Sequence, residues 1–174
     1  MNHRTVALAV TGTAAVTIGS ALIALAQADP DDHQPDVAPA AGASCSAGLD
    51  GAVTALPVQT GDPSNRKNLL RCSEGSWQVD NDEYPSSDRW LVSQPELVLH
   101  GQGVRNAELF AGTWTGTPQT PETVCTAVVR DATGGTVAAP QTVTAPAGKP
   151  AKFEASNWLF TVTLTGNCLW ERSE

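Results

Sequence analysis

The chain has 174 residues, with ten Lys and Arg against 18 Asp and Glu, for a formal charge of −8, and it carries four cysteines, five tryptophans and three histidines. The length suits one domain, or one domain with a small appendage. The acid excess argues against the basic face that nucleic acid or an anionic membrane surface requires, and the shortage of histidine leaves little material for a zinc or catalytic constellation.

The N-terminus reads Met-Asn-His-Arg and then an apolar stretch from Val6 to Ala26. Arg4 supplies a positive n-region, Ala26-Gln27-Ala28 is a small-x-small cleavage site, and Asp29-Pro30-Asp31-Asp32 follows at once. Residues 1–28 therefore read as a secretory signal peptide cut after Ala28. The rival is an uncleaved membrane anchor, since a span needs roughly 20 apolar residues. Thr11, Gly12, Thr13, Thr17, Gly19 and Ser20 dilute that stretch, and its following flank is acidic. The first cysteine is Cys45, so no lipid-bearing cysteine stands at the cleavage point. No later segment approaches membrane length, and the mature chain is expected to be soluble and secreted. The Ala, Thr, Val and Gly bias suggests a GC-rich bacterial source.

Residues 29–44, DPDDHQPDVAPAAGAS, hold only Val37 as a sizeable apolar side chain. They read as a disordered acidic tether, with His33 inert within it. From Cys45 onward Gly and Pro recur at short intervals between short runs rich in Val, Thr and Trp. No window carries a helical stripe. Strands are expected near 51–58, 67–72, 76–80, 90–93, 96–100, 104–114, 122–130, 136–144, 151–155 and 158–171. Turns are expected at Gly61-Asp62-Pro63, Pro85-Ser86-Ser87, Gly101-Gln102-Gly103, Thr117-Pro118, Gly134-Gly135 and Pro146-Ala147-Gly148. Many short strands at this spacing predict an all-β fold: an immunoglobulin-like β-sandwich, or a small barrel, over 90–174. A disulfide-stapled hairpin segment over 45–80 precedes it.

The last strand can be read by parity. Trp158, Phe160, Val162, Leu164, Cys168 and Trp170 share one face, and Thr161, Thr163, Thr165, Asn167 and Glu171 share the other. A hairpin turning at Gly166-Asn167 is the alternative. It would mix the two faces, so one long strand bulged at Gly166 is favoured. This parity places Trp158 and Trp170 in the core.

Four cysteines beyond the signal imply two disulfides in an oxidising compartment, and three pairings are possible. Cys45–Cys72 with Cys125–Cys168 is preferred because each bridge then stays within its own segment of chain. No C-x-x-C occurs, which turns the reading away from redox or zinc chemistry. Over residues 45–77 the pattern Cys-x-x-Gly … Leu-Leu-x-Cys-x-x-Gly-x-Trp resembles the two-cysteine modules at the tips of shufflon-type minor pilins. That resemblance implies a cysteine-stapled hairpin with Trp77 packed on it; no long N-terminal assembly helix accompanies it.

Few residues suggest chemistry. Beyond signal and tether, His100 is the only histidine, and it reads as a polar strand-end residue. No G-x-S-x-G elbow is present. Asp80-Asn81-Asp82-Glu83 with Asp88 is the densest acidic cluster, but an EF-hand loop needs Gly where Pro85 stands, so a solvated loop is preferred to calcium. Glu96, Glu108, Glu122 and Glu154 read as scattered strand acids, with nothing to pair them for glycoside hydrolysis. The tryptophans remain. Trp114 lies between glycines near an expected strand end, and with Trp90 it is the candidate platform for a sugar ring or a partner's side chain.

The reading is an exported, non-enzymatic β protein that binds an extracellular ligand or protein, or serves a structural role. It needs no cofactor or metal, binds no nucleic acid and does not insert into a membrane. A carrier of a small apolar ligand and a secreted hydrolase are the alternatives. N-terminal sequencing of protein from the culture medium is expected to begin at Asp29; a Met1 start in the membrane fraction would mean an anchor.

Overall fold

The structure is a computed structural model and describes residues 38–57 and 67–173. The expected signal peptide, most of the tether, and the turn at Gly61-Asp62-Pro63 lie outside the described residues.

Strands are nearly all of the regular structure among the described residues: β1 Val53–Leu56, β2 Asn68–Ser73, β3 Ser76–Asp80, β4 Arg89–Leu91, β5 Glu96–His100, β6 Gly112–Pro118, β7 Thr126–Thr133, β8 Thr136–Val137, β9 Gln141–Thr144, β10 Ala151–Ala155, β11 Leu159–Thr165 and β12 Cys168–Ser173. One 3-10 turn, Ala47–Leu49, precedes them. Seven strands form one sheet in the order β10-β6-β12-β4-β1-β2-β3. The second sheet runs β5-β11-β7, and both β8 and β9 pair with the far edge of β7. This is a sandwich-like all-β architecture.

Local chemistry sets the connections. The turn between β2 and β3 is Glu74-Gly75, both at positive φ, which is the backbone that lets a two-residue hairpin match strand twist. At Gly166 the chain leaves β11 in one sheet and enters β12 in the other. Its φ is +88°, and a Cβ there would meet the Val124 carbonyl oxygen at 2.2 Å. The C-terminal segment is therefore neither one long strand nor a hairpin, because β11 pairs with β5 and β7 while β12 pairs with β4 and β6. Inward parity survives the crossing: Val162, Leu164, Cys168 and Trp170 are all buried.

Parity fails at the other end of β11. Its register against β7 shifts between Leu159 and Thr161, so Phe160 is the extra residue of a β-bulge. A one-residue slip exchanges the faces. Leu159 takes the buried place, and Trp158, expected in the core, stands 61% exposed.

The main core lies between the sheets. It joins Val53, Ala55, Leu69, Trp90, Trp114, Phe153 and Trp170 of the larger sheet to Leu97, Leu99, Ala127, Val129, Leu159, Val162 and Leu164 of the smaller. Cys125–Cys168 links the sheets inside it. A second, smaller core covers the opposite face of the larger sheet, where Leu70, Leu91 and Leu169 alternate with the inward-facing residues of the same strands. Ala52, Trp77 and the Cys45–Cys72 bridge complete it. Residues 42–45 bond along β3, through Gly42 N to the Trp77 carbonyl and Trp77 N to the Ala43 carbonyl, both at 2.8 Å. Ordered backbone thus begins before Cys45, inside the stretch read as tether. Arg89 of β4 holds the 3-10 turn down, donating to the Gly48 carbonyl at 2.7 Å, to the Asp50 carbonyl, and to Glu171 at 2.9 Å. Strands β1–β3 share one sheet with β4, β6, β10 and β12, so the segment 45–80 is part of the larger sheet.

Both tryptophans proposed as a ligand platform are core residues. Trp90 and Trp114 are fully buried. The strand expected at 104–114 begins at Gly112 and continues to Pro118, so Trp114 sits within a strand flanked by β10 and β12 instead of at a strand end. Its Nε1 donates to the Phe110 carbonyl at 2.9 Å. Trp90 lies on β4, flanked by β12 and β1. Gly116 leaves room for the Trp170 ring, whose atoms lie 2.7 Å from where a Cβ would be. Trp114→Ala is expected to destabilise the protein by about 3–5 kcal/mol through the cavity it leaves, measured by urea unfolding.

Candidate functional site

Two adjoining clefts open at one end of the fold, of about 570 and 380 Å³, and they share Glu83, Pro85, His100 and Glu108. The larger is walled by Leu56, Leu69 and Val79 together with Lys67 and Asp80–Glu83. The smaller is walled by Tyr84, Val104, Arg105, Asn106 and Phe160. The bulge that turned Trp158 outward also sets Phe160 at this wall.

Glu108 organises the clefts. It is only 7% exposed, and both carboxylate oxygens are engaged. Oε1 accepts from Lys67 Nζ at 2.5 Å. Oε2 accepts from the His100 amide at 2.9 Å and faces His100 Nδ1 at 3.1 Å. A buried carboxylate is costly unless paired and hydrogen-bonded, and here it is both. The backbone of Glu108 is engaged as well: its N–H donates to the His100 carbonyl at 2.9 Å, and its carbonyl accepts from Ser87 N and Trp90 Nε1, both at 3.2 Å.

The acidic loop is also self-organised. Asp80 Oδ1 accepts from the Asp82 amide and Asp82 Oδ1 from the Tyr84 amide, both at 3.0 Å. These successive side-chain-to-backbone turns present Tyr84, which is exposed. Asp80 Oδ2 pairs with Arg71 at 2.9 Å, and Asp88 pairs with Arg172 at 2.7 Å. Asp80, Asp82 and Asp88, considered for calcium, thus serve arginines and backbone amides, and among the described residues no group of three or more His, Cys, Asp or Glu is placed to hold a metal ion.

Trp158 borders this end. The loop after β5 that lines the smaller cleft packs against it: Gly103 N donates to the Leu159 carbonyl at 2.7 Å, and a Cβ on Gly103 would meet the Trp158 carbonyl at 2.6 Å. Its own backbone is held, with N donating to Ser156 Oγ at 3.1 Å and O accepting from Ala132 N at 2.8 Å. Ser156 Oγ in turn donates to Asp131 at 2.9 Å. The other four tryptophans are at most 3% exposed.

Of the residues singled out from sequence, His100, Glu108 and the acidic run Asp80–Glu83 reach the clefts, whereas Trp90 and Trp114 do not. Lys67 and Tyr84 were missed, Glu108 was read as one of four scattered strand acids, and Phe160 and Trp158 were read on the apolar face of the last strand. The Ser156-Asn157 pair before Trp158 is a turn signal that could have set the indole outside the strand. Nothing local could have joined Lys67 to Glu108 across 41 residues.

No protein-family model matches the chain, and neither a curated protein nor a solved structure matches it.

Glu108→Ala is expected to cost about 2–3 kcal/mol, since hydrogen bonds to a charged group contribute about 1.5–3 kcal/mol and the Lys67 and His100 donors would be left unpaired. Urea unfolding measures it; an unchanged midpoint would remove Glu108 from its organising role.

Proposed function

We propose that this is an exported, non-enzymatic binding protein that presents Trp158 and the adjoining clefts to an extracellular ligand. The observation that carries the reading is Trp158: it stands 61% exposed on a backbone hydrogen-bonded through both N and O, next to the loop that lines the smaller cleft, while the other tryptophans are buried. A large exposed aromatic on a rigid turn is the kind of residue that anchors binding surfaces, through stacking and burial of area with little ordering cost.

Export is supported by the N-terminal signal pattern and by the two disulfides, which persist in oxidising compartments. The likeness of 45–77 to stapled pilin-tip hairpins agrees with that setting. Among the described residues no helix is long and apolar enough to cross a membrane. Binding is favoured over hydrolysis because the cleft acids have structural partners: Glu108 holds Lys67 and His100, and Asp80 holds Arg71. The charged lining, with Lys67, Asp80, Asp82, Glu83, His100 and Glu108, disfavours a small apolar cargo.

Trp158→Ala is expected to leave stability within about 0.5 kcal/mol, as surface changes usually do. It should also remove the long-wavelength part of the indole emission. Titration with a panel of soluble oligosaccharides and extended peptides should move that emission to shorter wavelength in the unmodified protein. If no member of the panel moves it, or if the substitution unfolds the protein, the reading fails.

A further inference from the structure

We propose that β5 is an acceptor edge to which an extended, Lys- or Arg-bearing segment of a partner polypeptide adds as an antiparallel strand, a reading that rests on the binding function above. Among the described residues β5 is the terminal strand of the smaller sheet and pairs with β11 alone. Along a strand, backbone groups alternate between its two neighbours. The Gly101 amide bonds to β11 through the Phe160 carbonyl, while both backbone groups of His100 point the other way, to Glu108. Two residues back, Val98 directs its N–H and C=O along that same outer edge, and Glu96 follows. Among the described residues no hydrogen bond reaches either outer position.

The chain itself shows how the edge is read. Glu108 gives its N–H to the His100 carbonyl and takes the His100 N–H on its carboxylate, so one residue exchanges a donor and an acceptor with His100 as an antiparallel partner would. An incoming strand begins where Glu108 stops, at Val98, which is 37% exposed.

Charge selects the occupant. Glu96 is exposed, and a residue placed opposite it on the added strand stands beside it on the same face, where an opposite charge is favourable. The chain as a whole is at −8. A second copy fits less well. Paired about Val98, it would set its own His100 against Glu96, and Glu108 already occupies the backbone groups of that histidine.

The probe is the acetylated and amidated hexapeptide Lys-Val-Thr-Val-Lys-Thr, added at millimolar concentration to the isotope-labelled exported chain and followed by amide exchange. In the free protein the Val98 and Glu96 amides should exchange rapidly while Leu97 and Leu99 are protected. The peptide should then slow exchange at Val98 and Glu96 by about tenfold. The same peptide N-methylated at alternate residues should have no effect. Val98→Pro, tolerated where the N–H of an edge strand faces solvent, should melt normally and lose the response. Three results would overturn the proposal: no protection at Val98 and Glu96, equal protection from a peptide with Glu in place of Lys, or protection already present without peptide that dissolves on dilution, which would mark a dimer edge. A Trp158 emission shift without any change at Val98 would sink the strand addition and leave the binding function standing.

Discussion

One buried carboxylate ties the two sheets together at the end where the clefts lie. Lys67 leads into β2 of the larger sheet, His100 ends β5 of the smaller, and Glu108 bonds to both. Its carbonyl reaches a third element through Ser87 and the indole N–H of Trp90 on β4. A carboxylate this far from water must have its oxygens satisfied or lose its charge. Satisfying them fixes where the loop between β5 and β6 returns, how β5 is capped, and where the cleft walls stand. The loop supplies no strand of its own here, so the position of the clefts depends on this group.

The rest of the fold supplies a rigid frame for that knot. The larger sheet buries side chains on both faces, which is why Leu91 and Leu169 are buried although they alternate with Trp90 and Trp170. Each face has its own bridge, Cys125–Cys168 between the sheets and Cys45–Cys72 under the N-terminal cover. In the chain-entropy view such cross-links act mainly by restricting the unfolded chain. A domain with short strands and long irregular connections benefits from that restriction, because ordering its loops costs chain entropy.

Much of this architecture was legible in the residues. Period-two alternation and Gly punctuation announced the strands, and even spacing through Val162, Leu164, Cys168 and Trp170 announced a common inward face. The disulfide pairing followed from keeping each bridge within its segment. What was hidden depended on register and distance. A bulge at Phe160 leaves no mark in composition, yet it exchanges Leu159 with Trp158 and moves the exposed aromatic from where parity put it. The start of β6 at Gly112 instead of near Val104 turned Trp114 from a strand-end platform into a core residue. The Lys67–Glu108–His100 cluster joins groups from both sheets, and its members look like unrelated polar residues in the chain. The candidate site was therefore far less readable than the fold.

The direct test of the organising role of Glu108 is residue-resolved amide exchange on Glu108→Gln, which keeps the side chain's shape and removes its charge. The account predicts that protection falls at His100 and Leu109, whose amides bond at the Glu108 turn, while Leu97 and Leu99, which face β11, keep theirs. Unchanged exchange at His100, or a uniform loss across both sheets, would contradict the claim that this carboxylate locally sets the geometry of the clefts.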